Sequence, residues 1–205
     1  MTTAAETIIY GAIVSAISFF AVYLLTPVAI KSLVARGQVV QDYHKPGKPQ
    51  VPRPAGPVLM TGIAAAELVL YALTMNPAVL AVLASTAIAF AVGYVDDKKV
   101  MPGWFKPAAL LLAAVPLVAL HVQGDHLNLV FGSAFIPLLY IPLVFVIMPI
   151  AGNTVNSIDV LNGVASGFVI IAMVPLLAAV AIFGSMDIFL AGLPLLLAAV
   201  AFYKY

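Results

Sequence analysis

The feature that most constrains this chain is a succession of apolar runs, at about residues 8–30, 57–75, 78–95, 104–122, 135–151, 164–183 and 188–203. A helix crosses a bilayer with roughly 17–25 apolar residues, so most of these runs are long enough to span. They are apolar on every face, whereas a membrane barrel strand alternates in polarity over about ten residues. Composition agrees: 64% of residues are hydrophobic and 8% are charged, against about 25% charged in soluble domains. The expected fold is an all-α polytopic membrane helix bundle of about seven spans, with 1–205 as a single membrane domain. The first run has only Glu6 before it, without a basic leader or small-residue cleavage site, and reads as a retained span.

Charge distribution orients the spans. The segments 31–56 and 96–103 are basic, whereas 123–134 and 184–187 contain no Lys or Arg. With the N-terminus outside, all nine Lys and Arg fall on one membrane face, which the positive-inside rule makes cytoplasmic. A net charge of +1 implies no nucleic-acid partner, and the absence of cysteine excludes disulfide and thiolate chemistry.

The cytoplasmic segments also collect the polar chemistry. Asp96 and Asp97 stand where the third run meets water. Adjacent carboxylates repel, and a divalent cation relieves the repulsion; Mg²⁺ favours carboxylates combined with phosphate oxygens. A solvated helix end is the simpler account of a lone Asp-Asp pair, although acids at a helix C-terminus oppose the macrodipole. Asn153, Asn156, Asp159 and Asn162 repeat at a spacing of three. Over nine residues an ideal helix turns through about 900°, so one continuous helix cannot aim all four at one pocket. A break in the helix is expected within 152–163. A capped loop is the plainer alternative, because Asn and Asp favour caps and turns.

The first cytoplasmic segment holds His44, Lys45, Lys48 and Arg53 among prolines and glycines. Its cations suit either lipid headgroups or a phosphorylated substrate. Glu67 lies mid-span, where an ionisable group costs at least ~2.5 kcal/mol. It should therefore face other helices, and protonation with a hydrogen bond is one way to hold it there. Trp104 reads as an interfacial anchor.

Three motifs in order resemble the polyprenyl-phosphate N-acetylhexosamine-1-phosphate transferases. They are Lys48…Pro52…Ala55-Gly56, Gly93-Tyr94-Val95-Asp96-Asp97 and Asn153-x-x-Asn156-x-x-Asp159-x-x-Asn162-Gly163. That family includes the dolichyl-phosphate GlcNAc-1-phosphotransferases and the phospho-N-acetylmuramoyl-pentapeptide translocases. Asp42-Tyr43-His44-Lys45-Pro46 and Asn162 look more like its archaeal branch, with protein N-glycosylation the implied pathway. The resemblance implies transfer of N-acetylhexosamine-1-phosphate from a UDP-sugar to a polyprenyl or dolichyl phosphate at the cytoplasmic face of the cell membrane, releasing UMP. It implies Mg²⁺, with Mn²⁺ as the alternative, held by Asp97 and Asn156. Asp96 and Asp97 become the catalytic pair, and Lys48, Lys45, His44, Asn153, Asp159 and Asn162 the substrate contacts. Membrane lipid and a second copy of the chain are the further expected partners.

Two departures qualify the match. Val160 replaces a common glycine. The family also has about ten spans of ~20 residues each, so the chain is expected to be an N-terminal portion ending before a further Asp of the site. The alternatives are a transporter or channel routed past Glu67, and an inactive truncated member of the family.

Overall fold

The computed structural model describes residues 3–43, 45–99, 101–120, 126–129, 132–135, 137–158 and 163–205. Among the described residues, seven helices form the bundle: α1 (Ala4–Ala35), α2 (Gly56–Thr74), α3 (Pro77–Lys98), α4 (Phe105–Ala119), α5 (Pro137–Ile158), α6 (Val164–Phe183) and α7 (Met186–Phe202). α1, α2, α3, α5 and α6 are long and apolar enough to cross a membrane, and α4 and α7 are shorter apolar helices. This is the expected all-α polytopic membrane bundle.

Local chemistry fixes the helix ends. Thr3 and Glu6 form a reciprocal capping box at the start of α1. Asn76 caps α3 with Pro77 in its first turn, and Ser185 caps α7. Sequence periodicity did not show two antiparallel hairpins. One pairs β1 (Val39–Gln41) with β2 (Gln50–Pro52), and the other pairs β3 (His126–Leu129) with β4 (Gly132–Phe135). Three or four residues are too few to print a clear alternation, so these segments read as loops.

α1, α2 and α7 form the packed heart. Val14, Ala66, Leu70, Leu190 and Ala191, with Val79 of α3, make one core cluster; Val22, Val58, Ile63, Ala198 and Ala201 make a second. Gly62 lets α2 approach α1: a Cβ there would lie 2.6 Å from Val22 Cγ2 and 3.1 Å from the Ser18 carbonyl oxygen. Small residues at a close crossing are the usual device where helices pack without a hydrophobic drive. The hydroxyl of Ser18 donates to the Pro194 carbonyl at 2.7 Å, tying α1 to α7. The hydroxyl of Ser85 donates to the Ala113 carbonyl at 2.6 Å, tying α3 to α4.

Pro27 lies inside α1 and has no N–H for the carbonyl of Tyr23, four residues earlier. The Tyr205 hydroxyl satisfies that oxygen at 2.9 Å, and Lys204 Nζ donates to the Tyr23 hydroxyl at 2.7 Å. The Tyr23 bond raises the pKa of the Lys204 ammonium. Residues just past α7 thus repair a defect made by a proline in α1.

The two ends of the bundle differ in charge. At one end lie the close of α1 with Lys31 and Arg36, the β1–β2 hairpin with Lys45, Lys48 and Arg53, the close of α3 with Lys98 and Lys99, the start of α4 with Lys106, and Lys204 after α7. All nine basic residues therefore share one end. At the other end, Glu6 of α1, Asn76 of the α2–α3 turn and Asp187 of α7 border one cavity, and Asn76 Nδ2 donates to Asp187 Oδ2 at 3.0 Å.

Candidate active site

The carboxylate pair lies on α3 itself, which runs on to Lys98, so the segment predicted to become a loop at Asp96 is still helical there. Helical spacing puts Gly93, Asp96 and Asp97 along one side of α3. Each carboxylate holds a cation from a different element. Lys106 Nζ of α4 donates to Asp96 Oδ2 at 2.8 Å, with the lysine side chain only 13% exposed. Arg53, just after β2, places its guanidinium on Asp97 Oδ1 in a more open setting. These pairs offset the repulsion between adjacent carboxylates and set both at the basic end of the bundle.

A cavity of about 260 Å³ opens beside them, lined by residues of α3, α4, α5 and α6 that include Gly93, Lys106, Gly152 and Asn156. At Gly93 an added Cβ would meet nothing within 4 Å, so its missing side chain contributes open space. Gly152 has the opposite role: a Cβ there would come 2.8 Å from Leu110 Cδ1, so this glycine lets α5 lie close on α4. The cavity thus has apolar helical walls and carries Lys106, with Asp96 attached, and Asn156.

The first part of the Asn-rich motif is helical, and the expected break is narrowed to residues 159–162, which lie outside the described residues. α5 continues through Asn153 and Asn156 to Ile158, and α6 begins at Val164 after Gly163, whose φ is +82°. Asn156 lines the cavity and Asn153 does not. The Ser157 hydroxyl donates to the Asn153 carbonyl at 2.8 Å, a bond compatible with continued helix. Asp159 and Asn162 lie outside the described residues, as does His44. Lys45 and Lys48 are in the β1–β2 hairpin away from the cavity wall. Lys45 pairs with Asp42 at 3.7 Å, and Lys48 Nζ stands 5.5 Å from the centroid of the Tyr43 ring.

Lys106 is a cavity residue that none of the three motifs contains. Its signal was present: it is a lone cation inside a predicted apolar run, and such a charge requires a partner. Glu67 is buried as expected, at 1% exposure. However, neither carboxyl oxygen has a hydrogen-bond partner among the described residues.

The donor set suits a hard cation in part. Carboxylate and amide oxygens are Mg²⁺-type ligands, and Mg²⁺ commonly takes one or two carboxylates and completes its shell with water and substrate phosphate. Among the described residues no group of three His, Cys, Asp or Glu side chains converges. Asp97 and Asn156 are the oxygen donors of this type that the motifs place here.

Fold and site together define a polytopic membrane protein with an interhelical cavity whose Lys106 is paired to an adjacent carboxylate. The family model for glycosyl transferase family 4 matches residues 79–205, more than half of the chain, and the chain belongs to that family. It is also similar to the phospho-N-acetylmuramoyl-pentapeptide-transferase of Caldicellulosiruptor bescii, at 29% identity over 189 residues. That similarity covers 82% of this chain and 57% of the relative, so the chain spans little more than half the length of the protein it matches. The family match contains Asp96, Asp97, Lys106 and Asn156 but not the β1–β2 hairpin.

Proposed function

We propose that this chain transfers an N-acetylhexosamine-1-phosphate group, GlcNAc-1-phosphate in the first instance, from a UDP-sugar to a polyprenyl or dolichyl phosphate. The acceptor phosphate oxygen attacks the β-phosphorus of the donor. The bond from that phosphorus to the bridging oxygen breaks, and UMP leaves. The observation that carries this reading is the meeting of Lys106 and Asn156 at one cavity, with Asp96 paired to Lys106 and Asp97 next to it on α3.

Phosphoryl transfer asks a protein for positioning and charge neutralisation more than for covalent chemistry. Lys106 lines the cavity in a half-buried setting and supplies positive charge there, with its ammonium paired to Asp96. The acceptor needs no obligatory base, because a phosphate monoester with a second pKa of about 6 is already largely dianionic near neutrality. Asp97 and Asn156 would hold Mg²⁺, or Mn²⁺ in its place, and the bound ion would neutralise diphosphate charge. Lys45 and Lys48 of the hairpin, and His44, would meet phosphate. Asn153, Asp159 and Asn162 would meet the nucleoside and sugar. The acceptor's hydrocarbon tail requires an apolar route, and α5 and α6 present largely unburied apolar surfaces beside the cavity.

The single basic end supports placing this site on the cytoplasmic face of the cell membrane, with the N-terminus outside. The archaeal-like first segment favours a dolichyl acceptor, whereas the relative's name favours a phospho-N-acetylmuramoyl-pentapeptide donor. A transporter needs polar groups along a route across the bilayer. Glu67 is instead enclosed among α2 neighbours such as Ile63, Ala66 and Leu70 that are themselves buried.

Proteoliposomes carrying the protein, given a polyprenyl phosphate and Mg²⁺, should release UMP from UDP-GlcNAc and form a lipid-linked product. UDP-N-acetylmuramoyl-pentapeptide and the two acceptor lipids provide the competing arms. Asp97→Asn should abolish Mg²⁺-dependent release; near-normal turnover in that variant would remove Asp97 from the metal role.

A further inference from the structure

The two cations on the carboxylate pair differ in how firmly they are held. Lys106 is rooted in α4, lines the cavity, and keeps only 13% of its side chain exposed. Arg53 belongs to the hairpin segment, and its side chain is 52% exposed while that of Asp97 is 30% exposed. Exposed ion pairs contribute little net stability, so the Arg53–Asp97 pair can be exchanged at small cost. It also conflicts with the role proposed for Asp97. The guanidinium engages Asp97 Oδ1 and leaves Oδ2, but two positive groups crowded on one carboxylate repel.

We propose that Arg53 is a positioning residue that occupies Asp97 in the free protein and leaves it when a divalent cation binds there. Its guanidinium then pairs with donor phosphate, which it matches in a planar, two-pronged way that an ammonium does not. This rests on the reading of Asp97 as a cation ligand. The mechanical link is short. The Arg53 N–H donates to the Gln38 carbonyl at 3.1 Å, bracketing the base of the β1–β2 hairpin. The same hairpin carries Lys45 and Lys48. Movement of Arg53 off Asp97 therefore shifts two further cations relative to the cavity. The effect is coupling of cation binding to placement of the basic hairpin over a diphosphate.

The absence of cysteine in the chain makes the test direct. Mn²⁺ affinity of the purified protein, without nucleotide sugar, is read by the amplitude of the free-ion EPR signal. Arg53→Gln should tighten Mn²⁺ about fivefold, the affinity equivalent of removing a surface ion pair. Arg53→Lys should stay near the parent value, and Asp97→Asn should lose the site. Spin labels at Gln50→Cys and Met75→Cys then report the hairpin position against the far end of the bundle. Mg²⁺ alone should shift or broaden that distance in the parent protein, and Arg53→Gln should show the broadened distribution without Mg²⁺. Asp97-dependent Mn²⁺ binding that is unchanged or weakened by Arg53→Gln, with a hairpin distance indifferent to Mg²⁺, overturns the proposal while leaving Asp97 as a ligand. Absence of Asp97-dependent binding in every variant overturns the cation reading and this inference together.

Discussion

The α1–α2–α7 side and the α3–α6 side of this bundle solve opposite problems with the same kind of sequence. On the first side, Gly11, Ser18, Gly62 and Ala66 bring helix backbones together, and both core clusters draw mainly on these three helices. On the second side, α5 has no buried residue in its membrane window and α6 has almost none, and the two helices flank a cavity instead of closing it. Glycine serves both purposes: Gly62 and Gly152 let helices approach closely, while Gly93 leaves space open. Packing resources are thus concentrated away from the chemistry. If the cavity side carries the proposed transfer, it must admit a charged headgroup and cannot also be a close-packed core.

The comparison breaks most visibly at Lys106. If the cavity side carries the reaction, Lys106→Ala should lower UMP release by about 10²–10³, the scale for losing one preorganised charge-stabilising group. The thermal midpoint of the variant should stay close to the parent. A parallel loss of folded protein would mean instead that the Lys106–Asp96 pair is a structural tie between α3 and α4.

The two glycines sharpen the contrast at intermediate magnitude. Gly62→Ala pushes a methyl into stiff, buried Val22 and the Ser18 backbone, and overpacking of this kind costs about 1–3 kcal/mol. Thermal unfolding in detergent should register it, while the rate per folded molecule changes little. Gly93→Ala meets no neighbour. Removing glycine from a helix interior is worth about 0.5–1 kcal/mol, so this variant should be as stable as the parent or more so, yet transfer more slowly because the methyl enters the cavity. A matched fall in stability for both would erase the distinction between the two sides.

Much of this was legible in the sequence because the membrane makes it so. Backbone hydrogen bonds must be satisfied within each span, so apolar runs translate directly into helices. Nine basic residues distribute by side, so the polar end could be read as well. The Asp96–Asp97 motif lies in the last turns of α3, and Asn153 and Asn156 lie in the last turns of α5. Side-chain pairing was not legible. Nothing in the spacing tells that Arg53 reaches Asp97 across 44 positions, or that Lys106 joins Asp96 to the cavity. The extension of α5 through Asn153 and Asn156 was missed because Asn is a poor helix former in isolation, and packing against α4 at Gly152 outweighs that small preference. The Tyr205–Tyr23 bond answers Pro27, but which group would answer a helical proline depends on tertiary placement.

The smallest expected effect tests the packed side from within. Glu67 is buried on α2 with both oxygens unpartnered among the described residues, a cost that the α1–α2–α7 heart carries without evident return. Replacing a buried, unsatisfied polar group by an apolar one of similar shape is nearly neutral or stabilising. Glu67→Met should therefore leave the unfolding midpoint unchanged or raise stability by up to about 1 kcal/mol. Glu67→Gln keeps a polar group in the same apolar surroundings and should gain less than Met. Transfer activity should be unaltered in both, because Glu67 does not line the cavity. If Glu67→Met instead destabilises the bundle while Glu67→Gln does not, the carboxyl is making a hydrogen bond and the packed side contains a polar contact of its own. If both variants fold normally but lose activity, the division between a packed side and a reactive side fails at its centre, and Glu67 belongs to the chemistry.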